Sequence, residues 1–174
     1  MSKSQTIKIF LLNALVLTSL FGQDILYPPP TTLVTIPTAG TLVRGSFALE
    51  MRVQKGGGMS TALQVGITDR FQFGSSFGAS NLIGDDSLRW YPRPEVNLKY
   101  RLIDETESFP GLSIGIDTQG QGQFHSADSL MRYDVKAMGM YIATSKNWVT
   151  PLGNLGLHLG SNYNFAEKND GDKD

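Results

Sequence analysis

The sequence predicts an all-β chain: an antiparallel, up-and-down transmembrane β-barrel or partial barrel of about 7–8 strands, behind an N-terminal signal peptide. Three observations carry the prediction. Apolar and polar residues alternate with period two along segment after segment. Glycine is abundant, at 19 of 174 residues, and clusters in turns. Beyond the first residues, no apolar run approaches the roughly 20 that a helix needs to cross hydrocarbon, so a membrane passage would have to use a closed sheet.

Bulk properties remove several classes. A formal net charge of −1 supplies no basic field for nucleic acid. The absence of cysteine excludes disulfide frameworks and thiolate metal sites. No cofactor or metal site is expected.

The elements follow in order. Lys3 and Lys8 precede an apolar run from Ile9 to Leu20, and a small residue, Gly22, closes it. This is the pattern of a secretory signal over 1–22, with a mature start at Gln23. Residues 23–41 form a leader, kept extended by Pro28, Pro29 and Pro30, with a short edge strand expected at Thr31–Ile36. Barrel strands occupy 42–165. The first is Ser46–Val53, followed by a turn at Lys55–Gly58 whose glycines can take positive φ. The second is Met59–Thr68, and a tight turn, Thr68–Arg70, leads to a third beginning at Phe71. After a loop over 81–94, the fourth is Glu95–Ile103 and the fifth Leu112–Asp117. Met131–Ser145 reads as one long strand, and Leu155–Phe165 as the seventh. Residues 166–174 are an acidic turn or tail, after which a further strand is expected, so the chain reads as stopping mid-barrel. An edge strand at Thr31–Ile36 would instead bring the number to eight.

Alternation divides the strands into two faces. Phe47, Leu49, Met51, Leu63, Val65, Ile67, Leu98, Leu155 and Leu157 are the lipid-facing candidates. Glu50, Arg52, Lys99, Arg101, Asp134 and Lys136 are the lumen-facing candidates, charges in mid-strand that would set the electrostatics of a pore. The strands run to about 9–12 residues, against the roughly 9–11 that cross a bilayer at a tilt. Phe47, Phe71, Trp90, Tyr91, Tyr100, Trp148, Tyr163 and Phe165 lie near strand ends, where rings with an apolar body and a polar tip favour the headgroup level.

Four segments carry a resemblance: Pro37–Phe47 (PTAGTLVRGSF), Val65–Phe73 (VGITDRFQF), Asn97–Leu102 (NLKYRL) and Ala143–Trp148 (ATSKNW). With them the chain resembles uncharacterised bacterial outer-membrane barrels related to exopolysaccharide-associated barrel proteins, over most of the mature chain. The resemblance implies a barrel in the outer membrane of a Gram-negative cell and a link to surface-polysaccharide export. It supplies no catalytic residues. His158, Gly160, Tyr163 and Phe165 also resemble the signal that barrel proteins present to the assembly machinery, although Ala166–Asp174 follow it here. The implied partners are outer-membrane lipid, that machinery, and a polysaccharide or small solute.

Two other readings use the same residues. An exported soluble β-sandwich that binds a glycan or a partner would also alternate. An outer-membrane hydrolase would need His125, beside Ser126 and Asp128, or His158, but no nucleophile-elbow motif accompanies either, and no enzyme is expected. Asp170, Asp172 and Asp174 have the spacing that opens a calcium loop, without the later glycine and glutamate; they read as a solvated turn.

Overall fold

The computed structural model describes residues 30–125, 131–151, 153–165 and 167. The expected signal peptide, Ser126 and Asp128, and the aspartates at 170, 172 and 174 lie outside the described residues.

The described chain is all-β. In chain order the strands are β1 (Thr32–Leu33), β2 (Ile36–Pro37), β3 (Phe47–Gln54), β4 (Gly58–Gly66), β5 (Phe71–Ser80), β6 (Arg89–Trp90), β7 (Glu95–Ile103), β8 (Gly111–Asp117), β9 (Gln121–His125), β10 (Arg132–Val135), β11 (Gly139–Thr150) and β12 (Gly153–Tyr163). Seven of them form one antiparallel meander in the order β3, β4, β5, β7, β8, β11, β12, and β6 extends it beside the end of β5. The sheet curls into a half-barrel. Its curl is visible in one cavity, where Arg52 from one edge strand and His158 from the other line the same space. A bulge at Leu102, between the pairs Arg101↔Ser113 and Ile103↔Leu112, bends β7 further.

The two longest connections lie at one rim. At the other rim, called lower here, are the connections 67–70 and 104–110 and the short one between β11 and β12. At the upper rim are a three-residue 3-10 turn, Lys55–Gly57, and the two long connections, from β5 to β7 and from β8 to β11. Gly56 and Gly57 take φ of 73° and 69°, the left-handed values expected of that turn. At the lower rim, the Thr68 hydroxyl accepts the backbone N–H of Phe71 at 2.9 Å and so tightens the turn into β5.

The polarity of the sheet is inverted relative to a protein folded around an apolar core. Phe47, Leu49, Met51 and Val53 on β3 are 74%, 62%, 59% and 73% exposed. They belong to rows that cross the convex face, such as Phe47, Val65, Phe73, Leu98, Ile116, Met140 and Tyr163. Most of the side chains buried in the concave face are polar: Ser60, Gln64, Gln72, Ser76, Glu95, Lys99, Ser113 and Ser145, with Tyr141 and Ala143 beside them. One periodicity produces both faces, since successive residues of a strand point to opposite sides.

Two strand expectations need correction. Met131–Ser145 is not one strand. It breaks at 136–138 into β10, which pairs with β9 in a separate hairpin, and β11, which joins the sheet. Tyr133 draws β10 inward, being fully buried against Tyr91 and Phe124. Gly139, at φ 70°, redirects the chain where a Cβ would fall 2.5 Å from the Tyr163 carbonyl oxygen. Nor is Thr31–Ile36 an edge strand of the sheet. It folds on itself as the hairpin β1–β2 and lies inside the half-barrel.

Candidate functional site: the concave trough and its strap

The concave face forms a polar trough, and residues 30–44 cross it as a strap. The strap is tied to successive strands through its own backbone. Lys99 on β7 donates from Nζ to the carbonyl oxygens of Thr31 at 2.5 Å and Gly40 at 3.1 Å. On β8, Ser113 Oγ donates to the Thr38 carbonyl at 3.1 Å. The backbone N–H of Ala39 donates to Ser145 Oγ of β11 at 2.8 Å, and that of Leu42 to Gln72 Oε1 of β5 at 3.1 Å. At the lower rim, Thr41 Oγ1 donates to the Asp69 carbonyl and the Arg44 N–H to the Asp69 carboxylate. The run Thr38-Ala39-Gly40-Thr41 is buried, and its small side chains let the backbone come close enough to be held this way.

The upper rim is closed differently. The β9–β10 hairpin folds over the trough and places Tyr133 edge-on to Tyr91 and to Phe124, with both centroid separations 5.0 Å. The Tyr133 hydroxyl donates to the buried Glu95 carboxylate at 3.2 Å, and Arg93 donates to the same oxygen at 3.1 Å. Burial, first, and the neighbouring Glu95 charge push the Tyr133 phenol above its ordinary range. Gln54 Oε1 accepts both the Tyr91 hydroxyl and the Gly122 N–H, fastening loop to wall.

Between the strap hairpin and the rim loops lie two cavities. One, of about 580 Å³, is lined by Ile36, Arg52, Asp117, Lys136, His158 and Asn162 among others. The other, of about 870 Å³, reaches Glu50, Arg52, Gln54, Lys55, Asn81 and Asp134. Thr35, at the strap hairpin's tip, lines both. Donors and acceptors mix on their walls, a lining suited to a hydrated, hydroxyl-bearing solute rather than to a single ion.

The expected lumen-facing residues divide into two groups. Glu50, Arg52, Lys99 and Arg101 lie on the concave side of the strands. Glu50 and Arg52 pair with each other at 2.6 Å. Lys99 holds the strap, and Arg101 pairs with Asp104 at 3.0 Å and donates to the Asp69 carbonyl. Asp134 and Lys136 are not in the sheet wall, because the strand expected to carry them is broken. Asp134 accepts from His125 Nε2 at 2.6 Å and from the Gln123 N–H, and the His125 hydrogen bond, foremost, holds its carboxyl below the usual range.

Of the expected lipid-facing residues, Phe47, Leu49, Met51, Leu63, Val65, Leu98, Leu155 and Leu157 share the convex face by register. Ile67 lies just beyond β4, in the lower-rim turn, half exposed. Tyr91 departs from the expected ring belt: it is 3% exposed, inside the upper rim. Gly160 and Tyr163 are on β12, and Phe165 follows its end, 68% exposed. The two histidines do not converge. His125 is on the rim hairpin, and His158 Nδ1 lies 2.8 Å from Ser145 Oγ, which Ala39 covers.

Sequence reading missed Gln72, Glu95, Ser113, Asp117 and Ser145. Parity could have found them, since each shares the polar face of its strand. It also missed the strap, whose only trace is the small-residue run at 38–41.

Compared with protein-family models, curated proteins and solved structures, the chain matches none.

Proposed function

We propose that this chain forms the wall of an outer-membrane β-barrel, a structural or pore-forming protein whose trough serves a polysaccharide or small hydrated solute. The inverted polarity of the sheet carries the reading. Leaving a large apolar side chain in water forfeits roughly 1.5–3 kcal/mol relative to burying it. Repeated over a whole convex face, that deficit exceeds the roughly 5–15 kcal/mol by which domains are stable. Lipid removes the deficit, and it requires what the concave side already has, a wall whose polar groups face inward.

The segregation of long loops to one rim supports the same reading, because barrels carry short turns on one side and long loops on the other. β3 and β12 both run from lower to upper rim. An antiparallel closure of the sheet therefore takes one further strand, or another odd number, running the opposite way. The resemblance supports surface polysaccharide as the cargo, with the assembly machinery and outer-membrane lipid as partners.

The test is heat-modifiable gel mobility of the envelope fraction, together with carbonate extraction. The expected outcome is an outer-membrane protein that stays in the pellet and migrates differently before and after boiling. A soluble periplasmic protein with no mobility shift would overturn the proposal and favour a sandwich, in which a second apolar surface covers the convex face.

A further inference from the structure

We propose that residues 30–44 are a displaceable strap that closes the trough, with Lys99 as its latch. The inference goes beyond the barrel reading and leans on it only for what the strap closes. Four features of the contact argue for a latch rather than a packed core.

The first is how the strap is held. Its bonds to the strand walls run largely to its own backbone atoms, from Lys99, Ser113, Ser145 and Gln72. Water can replace each of these partners, whereas it cannot replace apolar packing. The second is what the strap does not bury. Val34 is 90% exposed and Ile36 52%, and the strap residues that are buried are small. Little apolar area would be lost on lifting it.

The third is the position of Lys99. It is 2% exposed, and its two hydrogen-bond acceptors both belong to the strap. Asp117 is the neighbouring charge that acts on it. One ammonium therefore clamps the strap at both of its limbs, before and after the hairpin. The fourth is strain. Val34, at the hairpin tip, has φ 54°, a left-handed conformation that a β-branched residue seldom adopts. Lifting that also opens the β1–β2 pairing around Val34 releases it. The hairpin also stands between the two cavities, so its removal joins them.

The chain lacks cysteine, so introduced thiols are unique. Ser113→Cys places a thiol beneath the strap. The expected result on the folded protein is protection from a charged, membrane-impermeant thiol reagent in the otherwise native chain, labelling at least ten-fold faster with Lys99→Met, and restored protection with Lys99→Arg. Equal labelling in all three would overturn the latch.

A second arm does not depend on Lys99→Met folding. A Cβ built on Gly111 falls 3.3 Å from Ala39 Cβ, close to the separation a disulfide bridges. Ala39→Cys with Gly111→Cys should crosslink on oxidation and pin the strap. In planar bilayers the oxidised protein should conduct several-fold less than the same protein after reduction. Identical conductance in both states, in a protein that passes the heat-shift test, would overturn the closing role alone. A protein that fails the heat-shift test overturns the barrel reading, and the thiol-labelling arm still decides the strap.

Discussion

At the scale of single residues, buried polar groups do the work that apolar side chains do in a water-soluble core. Burying a polar group without a partner costs roughly 1–3 kcal/mol by mutational measures, so the concave face is organised by satisfaction of hydrogen bonds. Gln72 shows the economy of this: its Nε2 donates to Gln64 Oε1 at 2.5 Å while its Oε1 receives the Leu42 N–H. The arginines differ in a way that sequence parity hides. Arg52 borders both trough cavities, whereas Arg101 is anchored at the lower rim by Asp104 and the Asp69 carbonyl. In a conducting protein, Arg52→Ala should shift ion selectivity and Arg101→Ala should leave it nearly unchanged. Reversal potentials under a salt gradient measure both. Equal shifts from the two would mean that Arg101 also faces the solute path.

At the scale of elements, glycine sets how closely the strands and their cargo of side chains can approach. Gly115 on β8 lies under the Tyr141 ring of β11, and a Cβ there would fall 2.3 Å from Tyr141 Cζ and 2.5 Å from the Leu98 carbonyl oxygen. The second contact is to backbone and cannot be relieved by a rotamer. Gly115→Ala should therefore destabilise the β7–β8–β11 region by about 1–3 kcal/mol, the usual cost of overpacking. A denaturant titration in detergent would show it as a lower midpoint. Unchanged stability would mean that the ladder can widen at this point. Much of this scale was legible beforehand. Six of the seven sheet strands, all but β11, begin close to where alternation begins, and the turns at Lys55–Gly58 and Thr68–Arg70 fall where glycine and turn residues cluster. The break after β10 was not legible, because Val135 to Tyr141 offers apolar residues to both faces and no proline marks the stop. Burial of Tyr133 and the left-handed Gly139 decide it.

At the scale of the whole molecule, the inverted sheet makes a quantitative demand on its surroundings. Leu63 is on the convex face, half exposed, between Leu49 and Ser75 on the neighbouring strands. If that face meets the middle of a bilayer, Leu63→Arg should cost roughly 2–4 kcal/mol of insertion free energy, measured by folding into vesicles across a denaturant series. A cost near zero would place Leu63 in water or at the headgroup level. The same substitution on the concave side has no such penalty to incur, so the contrast tests the orientation of the sheet.

The sequence by itself determined the β class, the approximate strand boundaries and the division of the sheet strands into an apolar and a polar face. These depend on local alternation, which the pleat translates directly into geometry. It could not say which face curls inward, because alternation is the same whether a polar face meets water outside or a trough inside. Only the tertiary structure decided that, along with the pairing of Glu50 with Arg52, the rim position of Asp134 and Lys136, and the strap's path over Lys99, Ser113 and Ser145. The physical reason is sequence separation. Lys99 meets Thr31 across 68 positions and Ser145 meets Ala39 across 106. No local periodicity encodes contacts of that range; they exist because a curled sheet brings its strands around one segment of its own chain.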